Sequence, residues 1–297
     1  MTEYFNFLGL PTVVQDLIAA EIVHNSIPED RIQFALTCQV FNELVKHAKP
    51  KKILKSIFIG HCQKDGTISF TYSPRPQILY RIPDDIIARS KLEKRLRNAQ
   101  IQILTLTPSI FSEEFKDHVD FLNVFYEATK FVTTLRIQVS RCGSLNSGYF
   151  DFYEKLNYLK CLEFEGPFKD FVKLSKIPTN LKLSIYSHHT NFSILAEKLA
   201  TVQLFELHFD QLFTKKDCQE LFETVRFKDG VKIRFRFRSS QNDMYAVYMK
   251  HIGQDSIEIQ YFPFRPSCSN KDLGITIAII KPDMLVETFK KLDDGQA

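Results

Sequence analysis

Apolar positions in the first fifty residues recur at helical spacing. Val13, Val14, Leu17, Ile18, Ile22 and Val23 follow a period near 3.6, and Pro11 suits the first turn of a helix, where a missing N–H costs nothing. The apolar arc is wider than one buried face of so short a unit requires. A break is expected at His24-Asn25. Ser26 and Glu29 then have the spacing of a capping box, with Pro28 inside the first turn. A second stripe, Ile32, Ala35, Leu36, Val40, Phe41 and Leu44, predicts one helix running to His47-Ala48-Lys49-Pro50, because a proline disfavours helical geometry in the residue before it.

After residue 50 the texture changes to short β-type runs separated by helical stretches. Strands are expected at 51–60, 66–73, 101–107, 133–140, 159–166, 180–187, 202–209, 231–237, 256–262 and 274–280. Helices are expected over 112–131, with Ser112 as N-cap, and from Thr214, whose spacing to Asp217 matches a capping box with a shortened acid. Strands alternating with helices indicate an α/β architecture with neighbouring parallel strands. Several runs share an apolar-x-x-apolar-x-apolar pattern, among them Leu159-Leu162-Phe164 and Val202-Phe205-Leu207. Its middle position falls at 135, 162, 183, 205, 233 and 257, at intervals of 21–28 residues. Leucine-rich repeats recur every ~20–29 residues with an LxxLxL strand. The fold class expected is therefore α/β, with a short all-helical module followed by an irregular leucine-rich-repeat-like α/β solenoid. A doubly wound sheet gives much of the same pattern and stays open. The domains expected are residues 1–48, a linker or cap with a β-hairpin over 49–100, and the repeat-like region over 101–297.

Composition narrows the function classes. The chain has 297 residues, 27 Phe and no Trp, so phenylalanine is the expected filler between layers. The net charge of +4 is unevenly spread: residues 1–48 carry two basic against six acidic side chains, and the remainder 37 against 29. So small a surplus does not argue for nucleic acid. Six cysteines stand no closer than 19 residues apart, without zinc-type spacing, and most lie in apolar runs where a thiol behaves as a small hydrophobe. That favours a reducing compartment, cytoplasmic and/or nuclear. MTEYFNFLGLP lacks the basic-then-apolar order of a secretory signal, and no run reaches the ~18–20 apolar residues of a membrane span.

A unit of about 48 residues is near the size below which a chain buries too little surface to stand alone. Its helices are expected to pack on the rest of the chain or on another protein. Leu10-Pro11 opens the first helix, Ile27-Pro28-Glu29-Asp30 starts the next, and Leu36-Thr37-Cys38-Gln39-Val40-Phe41-Asn42-Glu43-Leu44-Val45 completes the unit. Over residues 8–48 this resembles an F-box of the divergent, lineage-expanded type. Two departures stand out: the stretch from Leu-Pro to Leu-Thr-Cys is about four residues longer than the common form, and Gln39 replaces a frequent basic residue. The resemblance implies a non-enzymatic substrate-recognition subunit of an SCF-type ubiquitin ligase. Such a receptor binds a Skp-type adaptor and through it a cullin, holds a protein target elsewhere, uses no cofactor, and acts by proximity. Matched to the family pattern, the adaptor contacts are Leu10, Pro11, Leu17, Ile18, Ile22, Ile27 and Pro28, while Leu36, Phe41 and Leu44 knit the helices together or face the linker. The alternative is a recognition scaffold whose N-terminal helices cap its own solenoid.

On the strands, residues between core positions point away from the core. Arg136, Gln138, Glu163, Glu165, Tyr186, Glu206, His208, Arg234 and Arg236, with Ser184, Glu258 and Gln260, form a mixed-charge ladder if the strands stack in order. It reads as a target-binding surface, or as cross-strand pairs that stabilise one another. In Val231–Ser240 the cations and phenylalanines alternate, so cation and aromatic faces are opposite, which speaks against base stacking. His188-His189 has no supporting ligands, and His61 and Cys62, adjacent on a strand, point to opposite faces. No HExxH, P-loop, GxGxxG or GxSxG motif occurs. The reading is no enzyme, no metal, no nucleic acid and no membrane.

Overall fold

Pro11 and Pro28 set the first two helices of a computed structural model that describes residues 6–61, 68–73, 86–107, 111, 119–141, 143–186, 190–225, 227, 230–238, 244–251, 257–263, 276–280 and 284–293. The chain divides into two compact units, residues 1–135 with 146–159, and residues 136–145 with 160–297. No described helix is long and apolar enough to cross a membrane.

The first unit opens with α1 (Thr12–Asn25), α2 (Pro28–Thr37) and α3 (Gln39–His47). Pro11 precedes α1, and its carbonyl accepts from Val14 and Gln15 at 2.9 and 3.1 Å. The capping box expected from Ser26 and Glu29 does not form. Ile27 is the N-cap of α2 and supplies no side-chain bond, Ser26 Oγ donates back to the Ile22 carbonyl, and Glu29 is taken by a tertiary contact described below. The single helix expected from Pro28 to His47 is broken at Cys38, which is extended at φ −162° and ψ 170°. No Pro or Gly marks this break. Thr37 Oγ1 turns back to the Gln33 carbonyl at 3.0 Å, a side-chain bond that competes with the helical ladder. Phe34 of α2 stacks on Phe41 of α3 at 4.5 Å, and Phe7 meets both edge-on. Lys49, at φ 49°, stops α3 before Pro50.

β1 (Lys52–His61) and β2 (Ile68–Ser73) are antiparallel, and β1 runs parallel to β3 (Ala99–Leu106) after α4 (Ile86–Arg97). α5 (Val119–Thr129) packs on β3 and α4, and α6 (Ser147–Glu154) completes the unit. Around α5 and α6 its core is aromatic: Phe125 and the half-buried Tyr126 stack on Phe152 at 5.5 and 5.8 Å, and Tyr149 is fully buried with its hydroxyl pushed well above the usual phenol range by desolvation. The Ser112 cap lies outside the described residues.

The second unit holds residues 136–138 of β4 (Thr134–Gln138), then β5 (Cys161–Pro167), α7 (Phe168–Lys173), β6 (Asn180–Tyr186), α8 (Phe192–Leu199), β7 (Gln203–Phe213), α9 (Lys215–Thr224) and β8 (Lys232–Arg238). The antiparallel strands β9 (Met244–His251), β10 (Ile257–Pro263) and β11 (Thr276–Ile280) follow, and α10 (Leu285–Asp293) ends the series. The strands stand side by side in chain order, and the β5–β6, β6–β7 and β7–β8 pairs are parallel. The repeat read across 257 therefore does not continue the parallel series, because β9 intervenes and the direction reverses after β8. The capping box of Thr214 and Asp217 is present, with both reciprocal bonds formed.

One face of these strands is apolar and covered. Phe171 of α7 packs on Phe164, Phe192 of α8 on Phe209 and Phe213, and Phe289 of α10 on Phe235 and Phe237. The other face keeps its side chains exposed or half-exposed, unlike a doubly wound sheet, whose two faces are both covered. At Phe205 the expected core position fails. The register slips between Leu181/Leu204 and Lys182/Glu206, so Leu204 is buried and Phe205 is 42% exposed. Gly166 has a physical reason to be glycine, because a Cβ there would stand 2.9 Å from the Val139 side chain, next to the Val139 N–H bond to Glu165.

Candidate functional site

Two surfaces carry the residues singled out by the sequence. The first is the outer side of α1–α3. Val13 and Leu17 lie four positions apart on α1, as do Ile32 and Leu36 on α2, so each pair shares a helix face. They are exposed by 70, 66, 42 and 73%, and Leu8, Val14 and Val40 are exposed with them. A single exposed leucine is ordinary, but Val13, Leu17, Ile32 and Leu36 together are more large apolar side chain than a small three-helix unit commonly leaves exposed. Pro11 is exposed as well, and Leu10, Ile18 and Ile22 are half-buried. Gln15 Nε2 holds the turn before the helix by donating to the Leu10 carbonyl at 2.8 Å.

Ile27 and Pro28 do not belong to this surface. Ile27 is 6% exposed and Pro28 is buried, since they begin α2 on the side that faces the rest of the unit. Leu36, expected between the helices or toward the linker, is among the most exposed residues, while Leu44 is buried and Phe41 sits in the aromatic cluster. The apolar stripe was read as one continuous helix, and the extended Cys38 divides it, with Leu36 on α2 and Val40, Phe41 and Leu44 on α3.

The inner side of α2 is fastened by polar side chains. Gln100 and Gln102 of β3 donate to the Ser26 carbonyl at 3.0 Å and to Glu29 Oε1 at 2.7 Å, and Thr133 reaches the same oxygen at 3.4 Å. Arg31, almost fully buried, donates to the Lys51 carbonyl at 2.9 Å, and burial lowers its pKa. Nothing in the helical pattern signalled these contacts, which depend on where β3 comes to lie.

The second surface is the polar face of β4–β10. The ladder residues do lie on one face. The register places Glu163 opposite Lys182, Lys182 opposite Glu206, and Glu206 opposite Lys232. Glu163 accepts from Arg136 at 2.9 Å and pairs with Lys182 at 3.5 Å, while Arg234 pairs with Glu206 at 3.4 Å. A second row carries Gln138, Glu165, Ser184 and His208. Tyr186 donates to Glu165, and Ser184 Oγ lies 3.2 Å from His208 Nδ1. Burial lowers the His208 pKa, opposed by Asp210 and assisted by Arg234. Arg136, Glu163, Glu165, Lys182, Glu206 and His208 line a shallow groove of about 320 Å³. Sequence reasoning missed Asp210. Its carboxylate holds Arg141 at 2.7 Å and Arg236 at 3.2 Å, because a register shift in β7 between His208 and Leu212 brings it there.

Among the described residues no group of three or more His, Cys, Asp and Glu is placed to hold a metal ion. Cys38, Cys161 and Cys218 are free thiols, and burial raises the pKa of the latter two, which makes them poor nucleophiles. Cys62, His188 and His189 lie outside the described residues.

No protein-family model, no curated protein and no solved structure matches the chain. The functional argument therefore rests on the two surfaces themselves.

Proposed function

We propose that the chain is the substrate-recognition subunit of an SCF-type ubiquitin ligase. In this reading the F-box-like helices bind a Skp-type adaptor, and through it a cullin. The polar strand face of an irregular leucine-rich-repeat-like solenoid holds a protein target. The receptor itself makes and breaks no bond. The observation that carries the reading is the exposure of Val13, Leu17 and Leu36 within a segment that has the Leu-Pro and Leu-Thr-Cys signatures. Covering each such side chain is worth about 1.5–3 kcal/mol, enough in sum to drive association. The solenoid is supported by the parallel order of β5–β8 with one helix after each of the first three strands.

The test is co-purification with a Skp-type adaptor. The wild-type chain is expected to retain the adaptor, and Leu17→Asp/Leu36→Asp to lose it with an unchanged melting temperature. A wild-type chain that does not bind the adaptor removes the proposal. The second reading, a non-enzymatic scaffold whose helices cap its own solenoid, draws on the bonds from Gln100 and Gln102 to the start of α2. It predicts no adaptor binding and no effect of the double substitution.

A further inference from the structure

The first row of the ladder alternates in sign with one exception. From Arg136 it reads Glu163, Lys182, Glu206 and Lys232, and then meets Lys250 of β9, followed by Glu258 of β10. Lys232 and Lys250 are direct cross-strand partners, and both are exposed. Like charges placed opposite each other on a sheet repel. The break falls where the strand direction changes from parallel to antiparallel. Among the described residues, neither ammonium has a carboxylate within ion-pairing distance. A shallow groove of about 210 Å³ runs over the pair, lined also by Arg234, Tyr248, Glu258 and Gln260. Arg234 lies over the Tyr248 ring at 5.5 Å, which stiffens one wall.

We infer that the Lys232–Lys250 break is a docking site for an extended acidic segment of a protein partner, with a carboxylate seated between the two ammonium groups. The inference rests on the strand face being the target-binding surface. Charge complementarity selects the occupant: a carboxylate restores the alternation that the chain itself leaves unfinished. A nucleic acid fits less well. Phe235 and Phe237 are buried, so Tyr248 offers a single ring rather than a series of stacking platforms.

The register also supplies clean variants. Lys250→Glu gains Lys232 as a favourable neighbour and sets itself against Glu258. Lys232→Glu gains Lys250 and sets itself against Glu206. Each exchanges one favourable pair for another, so folding stability stays level while the cationic pair disappears. The probe is a fluorescent glutamate-rich decapeptide, read by anisotropy on the full chain, with a glutamine-for-glutamate version as control. The wild type is expected to bind the acidic peptide, more weakly as salt rises. Each single variant is expected to bind at least about tenfold more weakly, with an unchanged melting temperature. The inference is overturned by equal binding of the glutamine peptide, by no binding at all, by variants that bind like the wild type, or by a single-stranded oligonucleotide that displaces the peptide more strongly than unlabelled peptide does. Adaptor co-purification on the same preparations separates the two proposals: retention of the adaptor without peptide binding ends this inference alone, and peptide binding without the adaptor ends the ligase assignment alone.

Discussion

The outer side of α1–α3 and the polar face of β4–β10 are both surfaces rich in outward side chains, and they differ in how far they satisfy themselves. On the strand face most charges already have partners: Glu163 lies between Arg136 and Lys182, and Asp210 holds two arginines. On the helices Val13, Leu17 and Leu36 are exposed by 70, 66 and 73%. Exposed ion pairs are worth little once formed, so the strand face has little to gain from a generic partner, and under the proposed function it would select one by pattern. The helical face can gain several kcal/mol from any complementary apolar surface. Affinity is expected to reside mainly in the helices, and selectivity mainly in the strands.

The sharpest test of this contrast lies within the helices, between residues that were expected to act together. Ile27→Ala is expected to destabilise the fold by about 2–4 kcal/mol, because Ile27 is buried, whereas Leu17→Ala should shift stability by less than about 0.5 kcal/mol. Urea denaturation of both variants decides it, and equal effects would erase the distinction between the inner and outer sides. Next comes Glu29→Ala, which leaves Gln102 and Thr133 without their shared acceptor and is expected to cost about 1–2 kcal/mol. A neutral result would mean that the polar seam contributes nothing to holding α2. On the strand face, Glu163→Gln is expected to cost about 0.2–1 kcal/mol for each of its two pairs at low salt, with the difference shrinking in high salt. A loss independent of salt would show that Glu163 acts by packing and not by charge.

The smallest effect concerns pH. His208 has a folded pKa below the ordinary value of 6.5 because burial disfavours its charged form. The unfolded chain therefore binds the proton more readily. The stability associated with neutral His208 is fully present above pH about 6.5 and is lost as the pH falls from there through the lower, folded value. His208→Gln should flatten the stability profile in that window, as followed by thermal melts. A wild-type profile already flat there would contradict the assignment.

Much of the α/β character was legible because buried faces enforce alternation. Ile137, Leu183, Ile185, Ile233 and Phe235 are buried at the positions where period-two spacing put them. β9 escaped notice because Met244–Met249 is apolar at both inward and outward positions, so no face declares itself until Tyr248 is seen beside Arg234. The exposure of Phe205 follows from a register shift set by the neighbouring strand, which a single strand's sequence does not encode. The helical surface was half legible. Leu17 and Pro11 stood out from spacing and resemblance, but Ile27 and Pro28 were taken for surface because the glutamines that draw α2 inward lie some 73 residues further along the chain.

The fastening of α2 to β3 has a mechanical corollary. Because Gln100, Gln102 and Arg31 tie the start of α2 to β3 and to the chain entering β1, the helices are not beads on a string. A protein gripping Leu17 takes hold of a handle bolted to β1 and β3, and inherits a fixed bearing toward them. Loosening those bolts would leave the exposed apolar side chains in place while freeing the helices to turn against β3.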